Sequence, residues 1–514
     1  MSTLASSSAA TQFEPNHPDE AVVVASGPDD PVSTLIASPV EVPANPTLTV
    51  QPAVELEACP SPTSAVQPPA EAQAIAPQVA PTPELAAQPE PMQAQRLAPQ
   101  EVRRALRIST VEGAVANIHI SITGSVGGSV FLTGFAILLG ANSFQLGLLG
   151  ALPFIGQLFQ FVGAYLEERS GNRRKLVLYN FLAARLIWAL LLALPFLTFL
   201  GSAQLLVFFV GLAATYAFHG IATNAWMSWM SDLVPPRRRG SYFGMRNTVA
   251  AMTAMASAFL AGLALDYFRE RGGEAVGYAL IFGVAVLAAI IAAGLLARQA
   301  EPPMQPRPRT SIKEMVRAPM RDANFRSFSA ASTGWTMVIG IAAPFFFAYG
   351  LTTLEINFAT LSLMAILTSA VSLIFAPIVG RMQDKIGSRV TITVCVLGNA
   401  IVPWGWVIAT PDNLLPIWIG SVITGIFWPG LHQGLSNVLM ERAPMVARSS
   451  AIAAYGALTG FGTLTAGLLG GALAMALDDT QLVVGSLSIV GLGFLFVLTS
   501  LGRIVMAVVF WRTL

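Results

Sequence analysis

The stretch Glu168-Arg169-Ser170-Gly171-Asn172-Arg173 lies between two long apolar runs, and Asp384-Lys385-Ile386-Gly387-Ser388-Arg389 lies between two others. Both stretches read acid, base, any residue, glycine, any residue, arginine. The copies begin 216 residues apart, about half the length of the hydrophobic part of the chain. This distance predicts a duplicated membrane domain with six helices in each copy.

The composition is that of an integral membrane protein. Apolar residues make up 54% of the 514 residues and charged residues only 11%, with a mean hydropathy of +0.63, whereas a soluble domain carries about 25% charged residues. The net charge of +1 gives no basic surplus for nucleic-acid binding. The two cysteines, Cys59 and Cys395, support neither a disulfide framework nor a metal cluster.

The chain has no phosphate-binding loop and no nucleophile elbow. We therefore expect no enzymatic activity, no cofactor and no bound metal, and we expect gradients to supply the energy for any transport.

Residues 1–105 are predicted to form a disordered cytoplasmic tail. They are rich in Pro, Ala, Ser, Gln and Val, and prolines interrupt every periodic pattern. Such a segment cannot bury enough apolar surface to offset the entropy of ordering. It also lacks the positive start and compact apolar core of a secretory signal. The sequence leaves open whether the tail binds a partner or only extends the chain.

Apolar runs of transmembrane length, about 20 residues, follow one another from about residue 112. They predict an all-α membrane protein with 12 transmembrane helices in two pseudo-symmetric six-helix bundles, residues 106–297 and 329–514, joined by a cytoplasmic linker at 298–328. The predicted spans are 113–139, 143–166, 176–199, 203–229, 241–266 and 276–297, followed by 329–351, 358–380, 390–410, 414–439, 450–476 and 482–502.

Basic residues set the orientation, because cytoplasmic loops carry an excess of Lys and Arg. With both termini inside, 26 of the 29 Lys and Arg residues fall on the cytoplasmic side. The exceptions are Arg185 within a span and Arg269 and Arg271 on an outer loop. We expect a multi-pass protein of the plasma (inner) membrane with both termini in the cytoplasm.

From about residue 105 to 505 the chain resembles the major facilitator superfamily of secondary transporters. The loop between helices 2 and 3 of that family reads roughly G-x-L-x-D-R-x-G-R-R. The second copy fits this pattern in register from Gly380 through Asp384 to Arg389. In the first copy Glu168 takes the place of the Asp, and Gly163 is one residue out of register.

A second repeat supports the duplication. Asp232 to Arg239 and Glu441 to Arg448 both read acid-x-x-Pro-x-x-x-Arg. The resemblance implies that both repeats form an inner gate that holds the halves together when the protein is open outward; alternatively, the charges only anchor helix ends at the headgroups. The predicted gate residues are Glu168, Arg169, Gly171, Arg173, Asp232, Arg239, Asp384, Lys385, Gly387, Arg389, Glu441 and Arg448.

Polar residues inside spans are costly and usually face the bundle interior or a water-filled cavity. In the family, helices 1, 4, 7 and 10 line the central pathway, and three of the four histidines fall on these spans. Each residue could instead make a single interhelical hydrogen bond, and Arg185 could pair with carbonyls or contact an anionic substrate. The predicted cavity residues are Asn117, His119, Thr123, Arg185, Tyr216, His219, Thr223, Asn224, Trp335, Thr336, Trp428, His432 and Gln433.

No Asp or Glu lies in the middle of a predicted span, since Glu112 and Asp266 fall at span ends. Histidine would therefore carry protons if transport is proton-coupled, because imidazole titrates near neutral pH. Small residues in span 11, from Gly462 to Gly471, predict close helix packing.

The leading hypothesis is a monomeric secondary transporter that moves a small solute across the lipid bilayer by alternating access. The alternative is a non-transporting sensor or membrane-complex assembly factor on the same fold, a reading that the long tail favours. The substrate, its direction and the coupling ion, protons included, stay open.

Overall fold

The structure is a computed structural model that describes residues 98–124, 128–170, 172–302, 319–443, 448–484 and 487–514. The first 97 residues, which hold most of the predicted tail, lie outside the described residues. The predicted tail extends to residue 105, but the first helix already begins at Pro99. Proline is favoured at the first helical position, where its missing N–H costs nothing.

The described residues of the first half form eight α-helices. They are α1 (Pro99–Thr123), α2 (Val130–Leu138), α3 (Ser143–Ala151), α4 (Pro153–Ser170), α5 (Arg173–Leu191), α6 (Ala203–Leu233), α7 (Arg239–Arg269) and α8 (Glu274–Ala297).

The second half adds eight more helices and one hairpin among the described residues. They are α9 (Ala323–Ala342), α10 (Phe345–Thr352), α11 (Phe358–Ile386), α12 (Ser388–Ala400), α13 (Val402–Ile408), α14 (Leu415–Arg442), α15 (Arg448–Leu477), β1 (Gln481–Val484), β2 (Leu487–Val490) and α16 (Gly493–Thr513).

Eleven helical segments in the described part of the chain are long and apolar enough to cross a membrane. Ten of them coincide with predicted spans 2 to 11, and the eleventh, Gly493–Thr513, overlaps predicted span 12 only in part. The first predicted span corresponds to the interrupted pair α1 and α2: α1 ends where Gly124 adopts a left-handed conformation (φ 67°), and α2 resumes at Val130.

The last predicted span was misplaced. The strands β1 and β2 pair in an antiparallel hairpin, in which Gln481 pairs with Val490, and the helix α16 covers Gly493–Thr513 rather than 482–502. The hairpin is as apolar as the helix that follows, so hydropathy alone could not place the helix start. Arg503 consequently lies in the middle of α16 and not at its end.

Glycines bring the two halves together along the α3–α15 contact. A Cβ on Gly147 would lie 2.5 Å from the backbone of Gly467 and of Gly471, so only glycine fits there. The close packing predicted for the small residues of span 11 is confirmed. A second contact between the halves joins α7 to α11.

We call the two ends of the bundle the inner end and the outer end, according to the predicted orientation. The inner end carries Asn172, Pro235, Glu301, Gly387 and Ala443. The outer end carries Gly140, Gly201, Gly272, Glu355 and Asp412.

Candidate functional site

The two halves are joined at the outer end by a carboxylate that caps a helix of the other half. Asp266, near the end of α7, accepts hydrogen bonds from the backbone N–H groups of Phe358 (2.9 Å) and Ala359 (2.8 Å) at the start of α11. Asn357 accepts the next N–H, that of Thr360, at 2.8 Å. The first N–H groups of a helix have no intrahelical partner, and the positive end of the helix dipole favours an anion there. The Asp266 carboxylate therefore bonds to α11 only while the halves are in contact.

The side chain of Phe358 reinforces this contact. It is 1% exposed, and its ring lies 6.1 Å from that of Phe131 and 6.2 Å from that of Tyr278, both in the first half. Gly134 leaves the space that the ring occupies, since a Cβ there would lie 2.7 Å from it. An apolar side chain of the second half thus fills a socket in the first.

A polar contact closes the outer end of the α3–α15 interface. The hydroxyl of Ser143, the first residue of α3, lies 2.9 Å from both carboxylate oxygens of Asp478, which follows α15. The polar contacts that join Asp266 to α11 and Ser143 to Asp478 both lie at the outer end. The structure is therefore closed outside, and a cavity of about 250 Å³ lies beneath the closure between Leu132 and Thr133 of α2 and Pro344 and Phe347 of the second half.

The predicted inner gate of the first half is an ion-pair network at the inner end. Arg173 is fully buried and lies 2.5 Å from Asp232 and 3.7 Å from Glu301. Arg239 does not join it, since its guanidinium donates to the backbone oxygen of Ser231. Arg169 is exposed and donates to Tyr165. Gly171 and the side chain of Glu168 lie outside the described residues.

Glu167, which the sequence reading passed over, is the buried acid of this loop. Its side chain is 5% exposed and accepts hydrogen bonds from the hydroxyl of Ser228 and, at 3.5 Å, from the amide of Asn224. The sequence carried a signal for it: Glu167 follows Gly163 by four residues, as Asp384 follows Gly380. With Glu167 in that role, the glycine is in register.

The predicted gate residues of the second half lie around one pocket at the inner end. Asp384, Gly387, Arg389 and Glu441 line this pocket of about 400 Å³. The Arg389 guanidinium lies 4.4 Å from the ring of Trp511 in the same half. Lys385 is exposed, and the side chain of Arg448 lies outside the described residues. Within the described residues 172–302 and 319–443, each hydrogen bond or ion pair of a gate residue joins it to a residue of its own half.

The predicted cavity residues of α1 mostly face the interior of the first half. His119 is 2% exposed, with Nδ1 at 3.2 Å from the backbone oxygen of Ala285 in α8. Thr123 is buried and donates to the backbone oxygen of His119, and Asn117 donates to that of Gly113. These side chains support helix packing rather than a cavity wall.

The residues of α6 are likewise held by neighbouring helices. The hydroxyl of Tyr216 donates to the backbone oxygen of Gly124 at 3.1 Å, where α1 ends. The ring of His219 lies 5.2 Å from that of Phe181 in α5. Thr223 is half-buried, and its hydroxyl has no hydrogen-bond partner within the described residues.

Arg185 belongs to a buried charge cluster that the sequence reading missed. Glu112 is 3% exposed and lies 3.8 Å from Arg185 and 3.3 Å from Arg246. Because α1 starts at Pro99, Glu112 lies in the middle of this helix rather than at its end. Arg185 pairs with this acid and with the backbone oxygen of Ala289. Because the carboxylate and the guanidinium groups are buried together, neither is an isolated buried charge, which would cost several kcal/mol.

In the second half, one of the predicted residues lines a large cavity. Trp428 lines a space of about 770 Å³ between the helices α9 to α14 and α16. His432 and Gln433 are exposed. Trp335 does not line this cavity, because its side chain is buried and its ring lies 6.5 Å from that of Phe510. The hydroxyl of Thr336 donates to the backbone oxygen of Thr459.

Comparison with known proteins identifies the family. The family model of the Major Facilitator Superfamily matches residues 118–462, and a second match covers residues 327–513. The chain belongs to this superfamily. A sequence search of curated proteins gives no match.

Solved structures of superfamily transporters have the same fold. A mutant of the nucleoside transporter NupG gives a TM-score of 0.64 at 9% identity, covering 79% of this chain and 99% of that chain. The POT family transporter PepTSo gives 0.61 at 11% identity, covering 80% and 97%. A bacterial homologue of the human lysosomal transporter Spinster, inward-facing and unoccupied, gives 0.58 at 13% identity, covering 81% and 97%. The superfamily assignment confirms the resemblance in the sequence and places the protein among membrane transporters rather than enzymes.

Proposed function

We propose that the protein is a secondary active transporter that moves a small solute across the membrane by alternating access. The observation that carries the proposal is the asymmetry of the contact between the halves. Asp266 and Phe358 join them at the outer end, while the Arg173–Asp232 ion pair of the inner end lies within the first half. A closed outer end above a cavity between the halves is one of the two states that alternating access requires.

The full architecture is part of this proposal. The pair α1 and α2 serves as the first of twelve transmembrane helices, and the basic loops place both termini in the cytoplasm of an inner-membrane protein. The protein functions as a monomer, because both halves of the pathway come from one chain.

We assign the gates to two sets of residues. Asp266, Phe358, Ser143 and Asp478 form the outer gate. The inner gate forms when the loop around Arg173 and Asp232 meets the pocket lined by Asp384, Arg389 and Glu441. In that state Asp384 and Glu441 supply carboxylates to the basic loop of the first half.

Proton coupling, if the transport uses it, runs through Glu112 rather than through the histidines. Glu112 is the carboxylate that two arginines, Arg185 and Arg246, hold inside the first half. Protonation would remove its charge and release both guanidinium groups. His119, by contrast, lies against a backbone oxygen and the ring of Trp188, and His219 lies against the ring of Phe181.

Flux measurements in proteoliposomes test the transport function. The solved structures of this fold include a nucleoside transporter, a peptide transporter and a POT family transporter in complex with 5-aminolevulinic acid, so the solute panel begins with a nucleoside, a dipeptide and an amino acid. We expect at least one solute to enter faster than in protein-free liposomes and to show counterflow. If an expanded panel binds to the protein but none of its members crosses the membrane, the protein is a sensor and not a transporter.

A further inference from the structure

A buried arginine without an acidic partner forms the floor of the large cavity in the second half. Arg503 of α16 is 5% exposed and lines this cavity of about 770 Å³. Its Nη1 donates to the backbone oxygen of Asn399 at 2.7 Å. Its Nε has no hydrogen-bond partner in the described part of the chain, and the residues that line the cavity include no Asp or Glu.

The other buried arginines of the bundle have carboxylate partners. Arg173 lies 2.5 Å from Asp232, and Arg185 lies 3.8 Å from Glu112. A buried cation is stabilised by a counterion and by hydrogen bonds that satisfy all of its donors. Arg503 has one such hydrogen bond, so an anion that entered the cavity would supply what the protein does not.

The other polar groups of the cavity do not compete for this role. The hydroxyls of Thr368, Ser369, Ser421 and Thr424 all donate to helix backbone oxygens at 2.8 to 3.0 Å. Their lone pairs can accept hydrogen bonds from a ligand, but their protons are already used. The guanidinium is thus the charged donor available to a ligand.

The rest of the cavity wall is aromatic and apolar. Phe346, Phe347, Trp406 and Trp428 line it. The rings of Phe346 and Trp406 are 5.3 Å apart, and that of Phe346 stacks on Phe496 at 4.5 Å. Aromatic walls around one polar anchor are typical of pockets that bind small organic molecules.

We propose that this cavity binds an organic anion with an aromatic or similarly apolar body, whose carboxylate or phosphate group contacts Arg503. The inference rests on the proposed transport function, because the bound anion would be the transported solute. The guanidinium fork suits both acid groups, since it can make two parallel hydrogen bonds to either.

The test measures binding to the purified full-length protein in detergent. The probes are 1-naphthylacetate, hippurate and phenyl phosphate at millimolar concentration, together with a neutral analogue of each, the two amides and phenol. Equilibrium dialysis gives the affinity, and the melting temperature gives the stabilisation. The variants are Arg503→Gln, Arg503→Lys and the control Arg512→Gln, which removes an exposed arginine from the same helix.

We expect the wild type and Arg512→Gln to bind at least one anion and to prefer it to the neutral analogue. Arg503→Gln should lose this preference and bind the anion roughly 10- to 150-fold more weakly. Without ligand, Arg503→Gln should melt no lower than the wild type, because it removes an unpaired buried charge. If Arg503→Gln does not fold, Arg503→Lys provides the comparison, with an intermediate affinity expected.

Three results would each overturn the proposal. The first is an equal preference for the anion in wild type and in the Arg503 variants. The second is no binding of any of the three anions, and the third is stabilisation by phosphatidylglycerol but by none of the soluble anions, which would make the cavity a lipid site. Flux of the same labelled probe separates this inference from the transport function: binding without flux contradicts only transport, and flux that is indifferent to Arg503 contradicts only the anion site.

Discussion

The carboxylate of Asp266 caps the helix that begins at Phe358, although the two residues belong to different halves of the molecule. The cap therefore acts as a latch. Its hydrogen bonds are charge-assisted and exist only while the outer end is closed, so Asp266 biases the equilibrium between the two access states without contacting the solute.

Replacing Asp266 by alanine should open the outer end. The loss of two charge-assisted hydrogen bonds and the dipole interaction is expected to cost the closed state about 2 kcal/mol, roughly a 30-fold change in population. The measurement is the rate at which a membrane-impermeant maleimide, added outside, labels Thr133→Cys in a chain without Cys59 and Cys395. Thr133 is 6% exposed and lines the cavity beneath the closure.

Asp479→Ala provides the matched control, because it removes an exposed carboxylate at the same end of the bundle. It should leave the labelling rate unchanged. Equal acceleration in both variants would mean that general loss of negative charge, and not the helix cap, opens the protein.

A methyl group at Gly134 should also oppose closure. The added Cβ would overlap the Tyr278 hydroxyl of the same half and lie 2.7 Å from the Phe358 ring of the other half. Overpacking of this kind costs about 1–3 kcal/mol, and the part that comes from Phe358 opposes closure. Cross-linking of Ser143→Cys to Asp478→Cys by a short bifunctional maleimide reports the closed state and should slow by about tenfold in Gly134→Ala. Gly283→Ala, where nothing lies within 4 Å of the new Cβ, should cross-link at the rate of the parent protein.

The Arg173–Asp232 pair should contribute to stability in addition to any role in gating. Asp232→Asn leaves the fully buried Arg173 with only the more distant Glu301, and since Asp232 is about a third exposed we expect a loss of about 2 kcal/mol. Thermal unfolding in detergent measures it.

A double-mutant cycle with Arg173→Met identifies the pair as the source, because the two losses should then be less than additive. Asp384, an exposed acid among the predicted gate residues of the second half, provides the comparison. Asp384→Asn should change stability by less than about 0.5 kcal/mol and should impair transport instead. Additive losses in the cycle would show that the two residues act separately.

Glu112→Gln should uncouple transport from a proton gradient. The amide cannot give up a proton, so solute exchange between the two sides should continue while stimulation by a pH gradient disappears. His219→Ala and His432→Ala should keep that stimulation. If a histidine variant lost the pH response and Glu112→Gln behaved like the wild type, the proton carrier would be that histidine and not Glu112.

The membrane spans could be predicted because span length and hydropathy are local properties of the sequence. Ten of the twelve predicted spans, spans 2 to 11, coincide with long apolar helical segments. Span 1 corresponds to the interrupted pair α1 and α2, and span 12 was shifted substantially, where a hairpin and a helix of equal hydropathy adjoin. The same shift hid Arg503, which looked like a terminal anchor and proved to line a cavity. Glu112 was hidden in a similar way, since the helix around it continues into a polar segment that hydropathy excludes.

The tertiary partners could not be predicted, because no local pattern encodes them. Asp266 lies 92 residues before Phe358 and reads as an ordinary charged helix end. His119 and Tyr216 were assigned to a cavity by helix number, but their side chains face neighbouring helices, and helix number does not fix rotation about the axis. Glu167 could have been found, because its spacing from Gly163 repeats that of Asp384 from Gly380.

Paired spin-label distances test alternating access most directly. One pair, at Lys175 and Ile386, spans the inner end, and the other, at Ser202 and Asp412, spans the outer end; each is measured with Asp266 intact and with Asp266→Ala. Alternating access predicts opposite changes in Asp266→Ala: the inner distance shortens while the outer distance lengthens. Inner and outer distances that change in the same direction, or that do not change, would contradict alternation between two access states.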